Sequence, residues 1–101
     1  MSDDMWATNQ LQSLRIVDGW CFYNNGWWYK AGKRFCFYQD VNVPTDYLVQ
    51  AHWMNGEETL TDTFRIQLDY PIAGFNKVRE EEMSVALRKA ESCIKKHAVE
   101  V

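Results

Sequence analysis

Four side chains in this sequence have the chemistry of zinc ligands, namely Cys21, Cys36, Cys93 and His97. Cys93 and His97 stand at i and i+4, a spacing that places both side chains on one face of a helix. The closely spaced cysteine pairs that are typical of zinc motifs are absent from the chain. Since free cysteine is commonly buried as a small apolar residue, the pattern favours structural cysteines. We expect neither a metal site nor a cofactor.

The sequence contains no arrangement that is typical of a catalytic centre. No nucleophile elbow or cysteine-protease signature is present, and the five glycines are scattered instead of forming a phosphate-binding loop. The acidic run from Glu80 to Glu82 suits the first turn of a helix better than a pair of catalytic carboxylates. We therefore expect a protein that is not an enzyme and has no catalytic residues.

Aromatic residues are concentrated between Gly19 and Tyr38, a stretch that reads GWCFYNNGWWYKAGKRFCFY and holds nine of the fifteen aromatics in the chain. Successive residues of a strand point to opposite faces, so Trp27 and Trp28 cannot share a face. Trp27 has the same parity as Tyr29 and adjoins a basic turn. We expect Trp28 in the core and Trp27 on a face that is free to contact another molecule.

Two kinds of binding are consistent with this stretch. Exposed Trp and Tyr beside basic residues are typical of protein-binding hot spots, and the predicted contact set is Trp27, Tyr29, Lys30, Lys33 and Arg34. Aromatics interleaved with basic residues can also stack the bases of single-stranded nucleic acid, which is the alternative function. A second, acidic set could engage a basic nucleic-acid channel of a partner, and its members are Glu57, Glu58 and Asp62.

Turn signals divide the chain into an antiparallel sheet of about five strands. One strand is predicted within Leu14–Tyr23, and the turns at 24–26 and 31–33 lead to two further strands, completing a meander. Residues 47–54 suit either a helix or a strand, but Asn55-Gly56 is a strong hairpin signal, so we favour two strands here.

The C-terminal segment has the pattern of an amphipathic helix. Asn76 is a suitable N-cap, and apolar residues recur at helical spacing, at Met83, Ala86, Leu87, Ala90, Cys93, Ile94 and His97. The predicted fold class is therefore α+β, a meander plus a hairpin with one long C-terminal helix packed on one face of the sheet.

Length and composition are those of one domain, 1–101, with residues 1–13 as a flexible or short helical arm. The net charge of −3 argues against phosphate binding over the whole surface. An odd number of cysteines, three, argues against a secreted disulfide scaffold. Neither a signal peptide nor a membrane span is recognisable, so a cytoplasmic location without membrane contact is expected.

The aromatic meander and the terminal helix EEEMSVALRKAESCIKK give the chain a general build that resembles two groups of small microbial proteins. These are phage-encoded anti-defence proteins, such as some anti-CRISPRs, and immunity proteins that neutralise toxins. The resemblance implies stoichiometric inhibition of a host or toxin protein. A nucleic-acid-handling complex is one example of such a partner. The resemblance assigns a role to no particular residue. Formation of a homodimer is an alternative use of the apolar surface.

Overall fold

The computed structural model describes residues 12–72, 74, 75 and 77–100, with 97–100 described by their backbone alone. One antiparallel sheet has the order β1-β2-β3-β4-β5-β6, so each strand pairs with the next along the chain. The elements are β1 (Ser13–Val17), β2 (Trp20–Tyr23), β3 (Trp27–Lys30), β4 (Lys33–Gln39), β5 (Asp46–Asn55), β6 (Glu58–Gln67) and α1 (Glu80–Glu100). The predicted α+β class is confirmed.

The sheet has six strands instead of about five because the predicted strand within Leu14–Tyr23 is a hairpin. Asp18 and Gly19 both have positive φ, 52° and 83°, and they connect Val17 directly to its partner Trp20. Two consecutive residues with positive φ make the type of turn whose twist matches that of the flanking strands, and Asp-Gly suits it well. Because apolar residues lie on both sides of this turn, the two short strands have the sequence pattern of one longer strand.

The region that suited either a helix or a strand is a strand. Asp46–Asn55 pairs along its whole length with Glu58–Gln67, and Gly56 supplies a positive φ of 69° at the turn between them. Along β5, buried Tyr47, Val49, Ala51 and Trp53 alternate with more exposed residues. This period of two is the pattern of a strand that is covered on one side.

Helix α1 packs its apolar stripe against the sheet, as predicted, through Met83, Ala86, Leu87, Ala90 and Ile94, all of them buried. The helix begins at Glu80 and has three glutamates in its first turn, where they favour the helix dipole. The proposed cap Asn76, the side chain of His97 and residues 1–11 of the predicted arm lie outside the described residues. Within the described ranges, no helix combines the length and apolarity that crossing a bilayer requires.

The connection between β6 and α1 packs on the same sheet face through Phe75. Its residue Phe75 places its ring 5.5 Å from Phe22 and 5.9 Å from Phe37, measured between centroids. The Arg15 guanidinium donates hydrogen bonds to the carbonyls of Phe75 and Val78, at 3.0 and 2.7 Å. Strand β1 therefore holds the connection in place over the core.

Removing a core side chain of the helix tests its packing on the sheet. Leu87 is completely buried, so Leu87→Ala is expected to lower the free energy of unfolding by about 2–5 kcal/mol. Denaturant titration measures this change. Val85→Ala is the matched control, because Val85 lies on the outer side of the same helix with 41% of its surface exposed. A cost for Leu87→Ala no larger than that of the control would contradict the packing.

Candidate functional site

The two adjacent tryptophans lie on opposite faces of the sheet. Trp28 is fully buried, and its ring lies 4.7 Å from that of Phe22 on the face covered by α1. Trp27 is half-buried on the other face, where it contacts Arg34 and His52. We call that second face the open face, and it includes Ile16, Cys21, Tyr23, Trp27, Tyr29, Arg34, Cys36, Tyr38, Leu48, Gln50, His52, Met54, Thr59, Thr61, Thr63 and Arg65.

The register of the strands brings the open-face side chains into rows. One row crosses the sheet through Tyr29, Arg34 and His52, which are direct partners on β3, β4 and β5. The adjacent row pairs Trp27 with Cys36. Directly opposed side chains on one face are close enough to contact one another, so these residues form one continuous surface.

Large apolar side chains on this surface retain much of their exposure. The exposed fractions are 61% for Ile16, 51% for Tyr38, 39% for Leu48 and 49% for Met54. Cys36, by contrast, is buried even though it belongs to the open face. The surface therefore has a closely packed centre surrounded by exposed apolar groups, and patches of this kind mark interaction sites more often than inert surface.

A small charged cluster lies at the β4–β5 loop end of the open face. Arg65 forms ion pairs with Asp40 at 2.9 Å and with Asp46 at 3.4 Å. The hydrogen bond from Arg65, with two more from the backbone of residues 42 and 43, lowers the pKa of the Asp40 carboxyl. The cluster places two carboxylates around one guanidinium, so Arg65 is fully paired, and its hydrogen bonds stabilise the loop between β4 and β5.

Arg34 has a different environment. Its guanidinium carbon lies 4.9 Å from the centre of the Trp27 ring, and its Nη2 atom lies 3.4 Å from Nδ1 of His52. The His52 ring in turn meets Trp27 edge-on, with 5.2 Å between the ring centroids. Partial burial, and then the nearby positive charge of Arg34, lowers the pKa of His52. The site therefore combines one cation, one neutral imidazole and two aromatic rings, Trp27 and Tyr29.

The structure divides the five residues of the predicted basic contact set between the two faces. Trp27, Tyr29 and Arg34 lie together on the open face, whereas Lys30 and Lys33 lie on the side of α1. Lys33 forms an ion pair with Glu91 of the helix at 2.8 Å, and the Lys30 ammonium lies 5.7 Å from the centre of the Trp20 ring. The two lysines are direct partners across the β3–β4 turn, so they share the face of Trp28.

The acidic set is located at the far edge of the sheet. Glu57 lies in the turn between β5 and β6, and Glu58 and Asp62 belong to β6; all three are exposed. Asp62 pairs with Ala51, a fully buried residue of the α1-covered face. Asp62 thus points away from the open face, and the structure does not bring the acidic set together with Trp27 and Arg34.

The three cysteines are free thiols on two sides of the sheet. Cys21 and Cys36 belong to the open face, and Cys93 lies on the helix that covers the opposite face. In the part of the chain that the structure describes, no three His, Cys, Asp or Glu side chains are grouped as a metal site would require.

Sequence reasoning missed the part of the open face that β5 and the end of β4 supply. His52, Leu48 and Met54 alternate with the buried residues of β5, and Tyr38 follows Cys36 at the spacing of one face. The alternation of buried and more exposed residues along β5 could have predicted that Leu48, His52 and Met54 share one face, because they occupy alternate positions of the strand. The pairing of His52 with Arg34 and of Leu48 with Tyr38 depends on the β4–β5 register, across a loop whose geometry the sequence does not specify.

Comparison of the chain with models of protein families, with curated proteins and with solved structures finds no match in any of the three. The side chains of the open face therefore carry the functional inference on their own.

The two tryptophans should differ in their contribution to stability. Trp28→Ala is expected to cost about 3–5 kcal/mol because it leaves a cavity in the core. Trp27→Ala removes a cation–π contact and an aromatic edge contact, which are together worth about 1–2 kcal/mol. Equilibrium unfolding in denaturant measures both. Equal losses for the two variants would show that the sheet is covered on both faces.

The lowered pKa of His52 predicts a specific pH dependence of stability. Its pKa in the folded chain is lower than in the unfolded chain, so the unfolded state binds more protons as the pH falls through the ordinary histidine range. Stability from the neutral imidazole is thus present above about pH 6.5 and is lost progressively below it. His52→Gln should therefore lose less stability than the unchanged protein between pH 7.5 and pH 5.5. Identical pH profiles for the two proteins, measured by thermal unfolding, would contradict this environment.

Proposed function

We propose that this protein is a small, non-enzymatic module that binds another protein through the open face and inhibits it. The observation that carries the proposal is the continuous surface around Trp27, Tyr29 and Arg34. Half-buried aromatic rings border exposed Tyr38 and Leu48 there. Trp, Tyr and Arg are the residues that most often dominate the energy of protein interfaces.

The open face has the dimensions of a protein interface. Six strands with a spacing of about 4.8 Å give a width of about 24 Å, and the strands range from four residues in β2 and β3 to ten in β5 and β6, which corresponds to lengths of roughly 13–33 Å. The resulting footprint is on the order of 600 Å², to which the rim adds. A typical stable interface buries about 800 Å² on each partner, so one partner of ordinary size fits this surface.

A rigid sheet also lowers the entropic cost of binding. The open-face rings already contact one another, with Tyr23 and Tyr29 at 5.0 Å and Trp27 and His52 at 5.2 Å between centroids. Side chains held in this way lose little rotamer freedom when a partner docks. They therefore suit a stoichiometric inhibitor, which has to bind tightly without chemistry.

Single-stranded nucleic acid is the weaker candidate for the same surface. A binder of this type combines stacking rings with cations that follow the phosphate backbone. Lys30 and Lys33, which would supply most of that charge, make their contacts on the other side of the sheet. Arg65 is already paired with two carboxylates. The open face thus has few unpaired cations that could contact the phosphates of a strand whose bases stack on its rings.

The resemblance in general build to anti-defence and immunity proteins supports inhibition as the outcome of binding. On this proposal the partner is a host or toxin protein of the cytoplasm, and its function is blocked by occupation of a surface. A single saturable complex is expected, without turnover or cofactor.

Site-specific photocrosslinking in cells of the source organism tests this proposal. A benzophenone amino acid replaces Tyr38 on the open face in one variant and Val85 on the outer side of α1 in the control, two positions of similar exposure. We expect a defined protein adduct from position 38 and none from position 85. Adding Trp27→Ala should reduce the adduct at position 38 by about tenfold or more, since a hot-spot residue is lost.

Two outcomes would overturn the proposal. An adduct that forms from position 85 alone would place the binding surface on the helix. An adduct that resists protease and yields to nuclease would make the partner a nucleic acid, and binding would then weaken steeply as the salt concentration rises.

A further inference from the structure

Arg34 is the one cation of the open face that has no carboxylate partner among the described residues. The ion pairs within these residues join Arg65 to Asp40 and Asp46, and Lys33 to Glu91, while the other pairs involve Arg79 and Arg88. The partly exposed guanidinium of Arg34 can therefore pair with a carboxylate from outside this part of the chain.

The guanidinium of Arg34 is already positioned. The Trp27 ring supports it at 4.9 Å, and His52 lies within 3.4 Å of its Nη2 atom. Beside it lies a shallow groove of about 340 Å³, bordered by Tyr29, Met54 and Thr59 among others. A planar guanidinium held over an aromatic ring retains free N–H groups, which suit the two oxygens of a carboxylate.

The surroundings of Arg34 restrict the ligand. Lys30 and Lys33 also border the groove, but the Lys33 ammonium pairs with Glu91 and the Lys30 ammonium lies against the Trp20 ring on the covered side, so Arg34 is the cation of this groove that belongs to the open face. On the open face, Arg34 is bordered by the rings of Trp27 and Tyr29 and by the apolar Met54. A ligand that fills this surface therefore has to present apolar side chains beside its anion. A protein segment with one aspartate or glutamate between large apolar residues has this chemistry.

A second copy of the chain suits the site poorly. Arg34 lies on β4, one of the two central strands of the sheet. A twofold axis through the middle of the open face would bring the two copies of Arg34 close together in a buried interface. Like charges at such a contact repel each other, and among the described residues no carboxylate pairs with Arg34 to separate them.

We infer that the open face binds a protein segment in which one carboxylate, flanked by large apolar side chains, pairs with the guanidinium of Arg34 over the Trp27 ring. This inference rests on the proposed function and adds the chemistry of the partner. The carboxylate supplies orientation and specificity, and the apolar side chains contact Tyr29, Tyr38 and Leu48.

The test uses a phage-displayed library of random twelve-residue peptides, selected on the full chain. Peptides whose binding is lost in Trp27→Ala are assigned to the open face. We expect them to share one Asp or Glu with large apolar neighbours. Arg34→Gln should weaken the best synthetic peptide by about 30-fold or more, since truncating one partner of a buried charge pair has effects of this size. Arg34→Lys should give an intermediate loss, because it keeps the charge and loses the two-pronged geometry.

Arg88→Gln is the matched control, because Arg88 lies on the helix and pairs with Asp18; it should leave peptide affinity unchanged. Replacing the shared acid of the peptide by its amide should cost about as much as Arg34→Gln. The two changes together should cost little more than either alone. Circular dichroism confirms that each variant is folded.

The remaining outcomes separate the inference from the proposed function. Peptides that need Trp27 but have no shared acid, or bind Arg34→Gln equally well, would overturn the inference and leave the function standing. Failure to select any peptide that needs Trp27 would count against both. A dimer in sedimentation equilibrium that Trp27→Ala dissociates would assign the face to a second copy. Binding of a twelve-residue oligothymidylate that is tighter than any peptide and needs Arg34 would assign it to nucleic acid.

Discussion

Neighbouring residues of a strand point to opposite faces, so a sheet with large apolar side chains on both faces needs a cover on each. Helix α1 has 21 residues and therefore spans about 30 Å. Together with the connection that carries Phe75, it covers one face, where Trp28 and Phe35 are fully buried. Within the described residues, the opposite face retains exposed Ile16, Tyr38 and Met54. This asymmetry of a two-layer fold underlies the functional proposal.

The charged side chains of the covered face and of the open face also differ in their partners. On the covered side, Lys33 pairs with Glu91, and this hydrogen bond lowers the pKa of the glutamate, so the β3–β4 turn is tied to the helix. On the open side, Arg65 is neutralised by the loop carboxylates, whereas Arg34 is held by an aromatic ring and an imidazole. The lysines near the aromatics in sequence thus make contacts on the covered side, and Arg34 has no carboxylate partner among the described residues.

The spacing of apolar residues along the sequence predicted most of the fold, because helices and strands each have a characteristic period of apolar positions. The apolar spacing of Leu87 and Ala90 indicated the helix stripe, and the adjacency of Trp27 and Trp28 required two faces. The Asp18–Gly19 turn was missed although Asp-Gly is a hairpin signal, since apolar residues flank it closely. The parity of Lys30 with Trp28 could have placed that lysine on the covered face. The contact between Arg34 and His52 depends on strand register across a loop, and local patterning does not determine it.

One face of the sheet is covered and the other is accessible, and hydroxyl-radical footprinting of the free chain distinguishes the two faces. Peptide mass spectrometry measures the oxidation rate of each side chain in the folded protein. The structure predicts rapid oxidation of Tyr38 and Met54, which are about half exposed, and strong protection of Phe35 and Met83, which are fully buried. Equal protection of Met54 and Met83, with oxidation of Tyr38 as slow as that of Phe35, would mean that both faces are covered and that the free chain has no open face.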